Sequence, residues 1–337
     1  MDDQYMGKKV SLIGSGSMGT ICALILAENG FDVLMYSRRQ SQTDMLCKER
    51  ENKTYLPGIP LPGNIHFTSD IDTLFKDTEF AISGIPCKFL SEMLQSMKAV
   101  IPSQMPVVSI TKGIENKTLL RPTEIIEKIL GPRKVAIFSG PNIAKEMAKQ
   151  LLTTATLVSN DTQFATEMQH AFSTSWLRTY TNKDCIGVEL AGATKNIIAI
   201  AAGVIDGLKS GDNAKAALLT RGLVEITRLG IAMGATDETF RGLTGMGDLV
   251  TTCISPCGRN RTFGELLAQG LPAEQALEKI TGQVEGVNTV KSVVQLANIH
   301  QVEMPIAQAV YDILFNGKEL KCAIGELMTR SLKSESH

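Results

Sequence analysis

The sequence has no long uninterrupted apolar segment. Its longest apolar run, residues 197–205, is about half of the roughly 20 residues that a helix needs to cross a bilayer. The N-terminus, Met1-Asp2-Asp3, is acidic and lacks the basic and then apolar order of a secretory leader. We therefore expect a soluble, cytoplasmic protein with no membrane insertion.

An excess of either charge sign is also missing. Lys and Arg together number 34, Asp and Glu number 35, and the formal net charge is -1. Without a basic surface field we expect no nucleic-acid partner, and an anionic ligand has to be held by a local site.

Cysteine and histidine are scarce and scattered. The seven cysteines are odd in number and lie mostly in apolar segments, which is typical of reduced intracellular thiols. Cys253 and Cys257 have no second pair and no histidine nearby, so we predict no bound metal. The four histidines, at positions 66, 170, 300 and 337, lie outside any Gly-rich or turn-rich segment. In an acid–base enzyme we therefore expect a group other than histidine to transfer the proton.

The first part of the chain alternates short apolar runs with helical patterns, which is typical of a parallel sheet with crossover helices. A polar connector containing Leu56-Pro57-Gly58 and Leu61-Pro62-Gly63 interrupts the alternation. The predicted strands cover residues 10–13, 33–36, 79–85, 107–110, 135–138, 154–158 and 177–180, and the predicted helices cover 17–28, 88–99, 118–130 and 162–173.

From Asp184 onward, apolar residues recur every three to four positions, which predicts helices. These cover residues 184–208, 213–233, 260–269, 273–279, 286–299 and 306–315. We predict an α/β fold, with a Rossmann-like doubly wound sheet as a dinucleotide-binding domain over 1–183. An all-helical substrate-binding and catalytic domain follows over 184–337. Small residues in its first helix allow close packing, either internally or against a second subunit, and we expect a homodimer.

The segment Gly14-Ser15-Gly16-Ser17-Met18-Gly19 follows a predicted strand and begins a helix. In dinucleotide-binding folds the first glycine permits a tight turn, the second lets the backbone approach a pyrophosphate, and the third allows close helix packing. The pyrophosphate lies at the helix N-terminus, where free N–H groups attract an anion. A Gly-rich turn of an unrelated doubly wound domain or of a methyltransferase is the alternative interpretation.

The end of the second predicted strand carries no acid. An NAD site commonly offers Asp or Glu there to the ribose hydroxyls, whereas a 2'-phosphate attracts arginine. The sequence is Tyr36-Ser37-Arg38-Arg39, which favours NADP(H) over NAD(H). A solvated basic turn is the alternative.

Two lysines lie where a charge is unusual. Lys112 follows a predicted strand, at the sheet edge where ligands of open α/β folds bind. Lys195 lies in an apolar helix, so it must extend to solvent or serve a site, because an unpaired buried ammonium is costly. Taken alone, each lysine is more simply interpreted as structural.

Two further segments contain candidate site residues. Gly258-Arg259-Asn260-Arg261 begins a helical pattern, and arginine beside free helix N–H groups binds phosphate, although solvated basic helix starts are almost as common. Asp248 lies in a Gly-flanked turn, where it serves either a site or only as an N-cap.

As an ordered set, these motifs resemble those of bacterial-type NAD(P)-dependent glycerol-3-phosphate dehydrogenases over about residues 8–330. One motif alone would mean little, whereas the whole set in order is specific. The matching segments are 13–19, Tyr55-Leu56-Pro57-Gly58, Lys112-Gly113-Ile114-Glu115, Ser139-Gly140-Pro141, Gly187-Val188-Glu189-Leu190, Lys195-Asn196, Asn213-Ala214-Lys215-Ala216-Ala217, Gly247-Asp248-Leu249, Arg259-Asn260-Arg261 and Glu285-Gly286.

The resemblance implies reversible reduction of dihydroxyacetone phosphate to sn-glycerol 3-phosphate by hydride transfer from NAD(P)H, which feeds glycerophospholipid synthesis. By position, Lys195 matches the family's catalytic lysine, and we predict Lys112 and Asp248 as its catalytic partners. The predicted cofactor contacts are Gly14, Gly16, Ser17, Met18, Gly19, Arg38, Arg39, Lys112, Ala144, Arg259 and Glu285. The predicted substrate contacts are Lys112, Gly140, Asn142, Lys195, Asp248, Gly258, Arg259 and Asn260.

The chemistry of the reaction agrees with these assignments. Hydride arriving on a carbonyl carbon leaves negative charge on the oxygen, which must be neutralised and protonated. We expect desolvation and Lys112 to lower the pKa of Lys195, so that it exchanges a proton near neutral pH. Asp248 would orient Lys195 or a substrate hydroxyl, while Arg259 and the Gly258 backbone would hold the phosphate.

Three positions depart from the family pattern. Cys87 follows Pro86 where serine is common, Asn142 replaces a frequent Ser or Thr, and Gly258 stands where many members have serine. None of these changes removes a charged group. We therefore expect activity to be retained and substrate affinity to be the property affected.

Two other functions fit much of the pattern. A reductase of the same architecture acting on a hydroxy acid would need a carboxylate receptor where Arg259 lies. A catalytically silent nucleotide sensor would bind cofactor without turnover, and loss of Lys112 or Lys195 would be its sequence sign. Both lysines are present.

Overall fold

The computed structural model describes residues 5–332 and 334–335, which form one eight-stranded sheet followed by a helical region. The strands are β1 (Lys9–Ile13), β2 (Asp32–Tyr36), β3 (Ile65–Thr68), β4 (Thr78–Ser83), β5 (Val107–Ser109), β6 (Val135–Ser139), β7 (Thr153–Val158) and β8 (Leu177–Asn182). Their order is β3-β2-β1-β4-β5-β6-β7-β8, and all neighbours are parallel except β6 and β7. The predicted Rossmann-like fold is confirmed.

The helices within this part of the chain are α1 (Ser17–Glu28), α2 (Gln40–Glu49), α3 (Cys87–Met97), α4 (Pro122–Leu130), α5 (Ala144–Met147) and α6 (Thr162–Phe172). From β1 the chain passes to β2 on one side, whereas β4 lies on the other side of β1. This reversal creates a crevice at the carboxyl ends of β1 and β4, where open α/β sheets bind ligands.

The elements missed by the sequence analysis are polar or very short. The predicted connector contains α2 and β3. Only Thr43 and Leu46 are buried in α2, and only Ile65 is buried in β3. Helix α4 begins at Pro122 and not at residue 118, because the residue before a proline disfavours helical backbone. The four-residue α5 was also not predicted.

The helical region comprises α7 (Cys185–Gly207), α8 (Asp212–Ala232), α9 (Asp237–Arg241), a π-helical turn (Leu243–Gly247), α10 (Asp248–Ile254), α11 (Arg259–Ala268), α12 (Ala273–Glu278), α13 (Glu285–Ile299), α14 (Pro305–Phe315) and α15 (Leu320–Met328). Helices α9, α10 and α15 and the π-helical turn were not predicted. All are short, so they offer too few turns for a clear apolar period.

Helix α7 forms the centre of the helical region. A Cβ on Gly203 would overlap the Arg261 carbonyl, and one on Gly264 would overlap the Ile200 carbonyl, so the α7 and α11 backbones touch. Helix α7 is long and apolar enough to cross a membrane. The sequence analysis did not identify it as such, because charged residues interrupt its apolar runs. Its most apolar window is 89% buried inside the fold, as in a core helix.

Candidate active site

The carboxylate of Asp248 holds two lysines. Lys112 Nζ lies 2.6 Å from Asp248 Oδ2, and Lys195 Nζ donates to Asp248 Oδ1. Lys195 Nζ also donates to Thr252 Oγ1 at 2.8 Å. Thr252, one turn after Asp248 on α10, was missed by the sequence analysis. The structure therefore brings together all three residues predicted to be catalytic.

Each of these side chains is placed by a different element. Lys112 follows β5 at the carboxyl edge of the sheet, Lys195 lies in the middle of α7, and Asp248 begins α10 directly after the π-helical turn. The stem of Lys112 runs beside Gly192, where an added Cβ would lie 3.6 Å from Lys112 Cγ. The lysine stem therefore lies in close contact with the surface of α7 at Gly192 on its way to Asp248.

Lys195 and Asp248 do not take the solvent-exposed and helix-capping placements that the sequence also allowed. Lys195 does not extend to solvent, since only 6% of the residue is exposed. Asp248 does not cap a helix through its side chain, because Gly247 is the N-cap of α10 and the Asp248 carboxylate is turned to the lysines.

Burial and the neighbouring charges set the protonation of this cluster. Burial and, to a smaller extent, Lys112 lower the pKa of Lys195 to about 8, against the opposing effect of Asp248. For Asp248, burial alone would raise the pKa, but Lys112 and Lys195 outweigh it and hold the pKa below its usual value. The carboxylate is therefore ionised near neutral pH, where Lys195 can both give and take a proton.

The Gly-rich turn between β1 and α1 has the geometry of a pyrophosphate site. Gly14 has φ +111°, and an added Cβ would lie 2.8 Å from the Gly84 carbonyl oxygen across the crevice. A Cβ on Gly19 would crowd the Gly14 carbonyl, whereas Gly16 faces open space and no side chain caps α1. Ser17 and Met18 follow in the first turn of α1. Open space beside uncapped N–H groups fits the pyrophosphate of a dinucleotide.

A buried asparagine fixes this turn and was missed by the sequence analysis. The side-chain amide of Asn52 donates to the Ser15 carbonyl at 2.9 Å and to Thr20 Oγ1 at 2.8 Å, and the residue is 0% exposed. Ser17 Oγ donates to the Tyr55 carbonyl at 2.8 Å. The only signal was the neighbouring Tyr55-Leu56-Pro57-Gly58 motif, which lies against the turn.

Arg38 and Arg39 lie exposed directly after β2, and Arg39 is the N-cap residue of α2. Ser37 Oγ lies 3.0 Å from Ser15 Oγ, so the arginines adjoin the Gly-rich turn. Among the described residues, neither arginine has an ion-pair partner. Their positive charge is therefore available to an anionic ligand.

The residues at the start of α11 divide into two groups. Arg259 is exposed and packs against Gly282, where an added Cβ would lie 2.5 Å from Arg259 Nη1. Arg261 is committed to ion pairs with Asp206 and Glu265. Arg259 has no ion pair among the described residues, and it follows Gly258, the N-cap of α11, so it remains free for an anion.

Asn260 belongs to a chain of buried amides beside Lys195. Its side-chain nitrogen donates to Asn196 Oδ1 at 2.9 Å, and its oxygen accepts from the Gly286 N–H at 2.9 Å. Asn196 in turn donates to Glu285 Oε2 at 3.2 Å. Asn260 and Glu285, predicted as substrate and cofactor contacts, are thus joined through α7, and Asn196 is their unpredicted link.

The loop after β6 also reaches the site. Asn142 Nδ2 donates to the Thr154 carbonyl at 3.2 Å, and Gly140 has φ +141°. Pro141 Cγ lies 3.9 Å from the position of a Cβ on Gly247, next to Asp248. Ala144 begins α5 at the end of this loop.

A cleft of about 690 Å³ opens beside Lys112. Its lining includes Glu285 and Thr289 of α13 and the first turn of α3, which begins at Cys87. Cys87 Sγ, the atom that differs from the family's serine, lies 3.6 Å from the position of a Cβ on Gly113, next to Lys112 in the chain. The cleft therefore brings Lys112 and Glu285, both predicted cofactor contacts, to one surface.

The chain is similar to known proteins over nearly its whole length. The family model described as NAD-dependent glycerol-3-phosphate dehydrogenase N-terminus matches residues 9–165, and the corresponding C-terminus model matches residues 184–325. Glycerol-3-phosphate dehydrogenase [NAD(P)+] of Bacillus cytotoxicus is 47% identical over 330 residues, covering 97% of each chain. The corresponding protein of Bacillus pumilus is 45% identical, covering 96% of this chain and 94% of that one.

Solved structures give the same result. The crystal structure of glycerol-3-phosphate dehydrogenase from Coxiella burnetii has a TM-score of 0.93 at 36% identity, covering 96% of this chain and 99% of that one. A ketopantoate reductase from Ralstonia eutropha has a TM-score of 0.61 at 14% identity, covering 91% of this chain and 97% of that one. The second likeness concerns the fold alone.

Proposed function

This chain belongs to the NAD-dependent glycerol-3-phosphate dehydrogenase family, and we propose that it reversibly reduces dihydroxyacetone phosphate to sn-glycerol 3-phosphate with NAD(P)H. The observation that carries the mechanism is the pair of ammonium groups held on one buried carboxylate. The division into a dinucleotide-binding domain over 1–183 and a catalytic domain over 184–337 is part of this proposal.

Lys112 and Lys195 bind the carbonyl oxygen of the substrate. The nicotinamide, when bound, supplies the hydride. As negative charge develops on the oxygen, Lys195 donates a proton to it and Lys112 stabilises the charge. Asp248 holds both amines in place, and in the reverse direction neutral Lys195 accepts the hydroxyl proton.

The substrate phosphate is held at the start of α11. Arg259 supplies an unpaired guanidinium, and the uncapped backbone at Gly258 supplies N–H groups of a helix N-terminus. Holding the phosphate there orients the carbonyl at the lysine pair. Asn142 and Gly140 complete the substrate site from the loop after β6, and Asn260 supports it through the amide chain.

NADP(H) is the preferred cofactor in this proposal. Gly14, Gly16, Ser17, Met18 and Gly19 hold the pyrophosphate, while Arg38 and Arg39 bind the 2'-phosphate. Lys112, Ala144, Arg259 and Glu285 would provide further contacts to the cofactor. The exposed, acid-free end of β2 supports the preference.

A cytoplasmic homodimer without membrane insertion, which supplies glycerophospholipid synthesis, completes the proposal. Free thiols at all seven cysteines support a reducing compartment.

The test is the initial rate of NADPH and of NADH oxidation with dihydroxyacetone phosphate as substrate. Turnover that is faster with NADPH supports both the reaction and the cofactor preference. Turnover that is equal or faster with NADH contradicts the preference only. Cofactor binding without turnover contradicts the reaction and favours a hydroxy-acid substrate or a nucleotide sensor.

A further inference from the structure

Residues 112–121 leave the sheet region and lie on the helical region; we call them the connecting segment. Ile114 is buried in the same apolar cluster as Leu190, Ala193 and Ile197 of α7. Ser292 of α13 donates to the Ile114 carbonyl at 3.2 Å. A stretch that follows a strand of the sheet is therefore packed into the core of the helical region.

Both ends of the connecting segment carry a cation that is bound to an acid of the helical region. At its start, Lys112 binds Asp248. At its end, Arg121 Nη1 donates to Glu189 Oε2 at 2.6 Å, and Glu189 also accepts from the N–H and the hydroxyl of Thr123 at 2.8 and 2.7 Å. Arg121 and Glu189 are both buried, at 8% and 5% exposure.

The two ion pairs lie at the two ends of one i, i+3 row on α7. Glu189, Gly192 and Lys195 are spaced by three residues each, so successive members are neighbours on the helix surface, and the row extends over roughly 9 Å. Glu189 binds Arg121, Gly192 carries the stem of Lys112, and Lys195 binds Asp248. The position of the connecting segment on α7 therefore determines how far Lys112 is from Lys195.

We propose that Glu189 and Arg121 are positioning residues, which fix the connecting segment on α7 so that Lys112 and Lys195 meet on Asp248. This inference rests on the proposed function of the lysine pair. A buried carboxylate with a guanidinium, a hydroxyl and a backbone N–H around it has one well-defined geometry, because any displacement leaves a buried polar group without a partner. Neither residue touches the reacting atoms.

The test compares Glu189→Gln with Glu124→Gln. The first variant replaces the buried carboxyl group on α7, whose pKa burial raises to about 7 against the opposing effect of Arg121. The second replaces the more exposed partner of Arg121, which binds it at 2.7 Å. For Glu189→Gln we expect kcat with dihydroxyacetone phosphate to fall by about 10- to 100-fold, because a displacement of about 1 Å has that effect. The Kd of NADPH changes by less than about twofold, since the Gly-rich turn is untouched. Glu124→Gln retains wild-type kcat.

The pH dependence of kcat distinguishes a positioning role from a nonspecific disturbance of the fold. Because Lys112 lowers the pKa of Lys195, moving Lys112 away raises the pH at which the reduction rate falls. If Glu189→Gln does not fold, Arg121→Lys keeps the cation but loses its forked geometry, and the same loss and shift are expected. Unchanged kcat, or equal losses in kcat and NADPH affinity with no pH shift, would overturn the proposal.

A second readout does not depend on turnover. Cyanate carbamoylates only neutral amines, so the pH dependence of Lys195 labelling, followed by peptide mass spectrometry, reports the pKa of Lys195. We expect labelling of Lys195 in Glu189→Gln to shift to higher pH. Wild-type protein that labels as expected but does not reduce dihydroxyacetone phosphate contradicts the proposed function, whereas unshifted labelling contradicts the positioning role.

Discussion

Lys112 and Lys195 bind opposite oxygens of the Asp248 carboxylate, although one follows a strand of the sheet and the other lies in the central helix. An ammonium with a buried neighbour of like charge gives up its proton more easily. One carboxylate between the two amines keeps them close despite their repulsion. The arrangement combines an electrostatic site for an oxyanion with a proton donor active near neutral pH.

The rate of each direction should depend on pH through Lys195. Its pKa is lowered to about 8 by burial and by Lys112. Reduction needs the protonated amine, so kcat/KM for dihydroxyacetone phosphate should fall as the pH rises through about 8. Oxidation of sn-glycerol 3-phosphate needs the neutral amine and should rise over the same range. Profiles with the same slope in both directions would exclude Lys195 as the proton donor.

Replacing the amine of Lys195 should abolish turnover and spare the cofactor site. In Lys195→Ala we expect kcat to fall by at least about 100-fold, because general acid catalysis contributes that much or more. The Kd of NADPH, measured by fluorescence titration, should stay within about twofold of the wild-type value. Exposed Lys209→Ala serves as the control and should keep its activity. Parallel loss of NADPH binding would indicate a folding defect.

Arg38→Ala should discriminate between the two cofactors. A charge-assisted hydrogen bond to phosphate contributes about 1.5–3 kcal/mol, so NADPH should bind about 10- to 100-fold more weakly. The Kd of NADH should change little, since it has no 2'-phosphate. Lys48→Ala, which removes an exposed cation from α2, provides the comparison. Equal weakening of both cofactors would refute the assignment of Arg38.

Asn52→Ala, unlike Arg38→Ala, should weaken the binding of NADPH and NADH equally. The Asn52 amide fixes the Gly-rich turn through Ser15 and Thr20, and its loss leaves a buried carbonyl without its donor. We expect unfolding free energy to drop by about 1–3 kcal/mol. NADPH and NADH should lose affinity by the same factor, because the turn serves the pyrophosphate they share. Unaltered binding of both would show that the turn holds its shape without Asn52.

Gly203→Ala should destabilise the helical region strongly. The added methyl group would overlap the Arg261 carbonyl and separate α7 from α11, at a cost of about 1–3 kcal/mol or more. Gly325→Ala on α15 is the matched control, because an added Cβ there meets open space and should stabilise by about 0.4–1 kcal/mol. Urea unfolding of both variants measures the difference. An unchanged unfolding free energy in Gly203→Ala would mean that α7 and α11 can move apart without a cost in stability.

The sequence by itself determined the alternation of strands and helices, the Gly-rich turn and the chemical identity of the site. These features are local, since a period of two or of about 3.6 residues reports which face of an element is buried. Local signals were insufficient for α2, β3, α9, α10 and the π-helical turn, because each buries few residues. The polar connector therefore concealed Asn52, whose importance depends on a loop 37 residues earlier.

Only the tertiary structure decided which charges meet. Lys112 and Asp248 are 136 residues apart, and the packing of the connecting segment on α7 brings them within 2.6 Å. In the same way, the structure assigned Arg261 to ion pairs, Asn260 to a chain of amides and Glu189 to Arg121, although the sequence presented each as a polar residue in a motif. A pattern along the chain shows which residue types occur and which face of a helix or strand is buried. Which polar group a side chain meets depends instead on how the apolar surfaces of distant elements pack together.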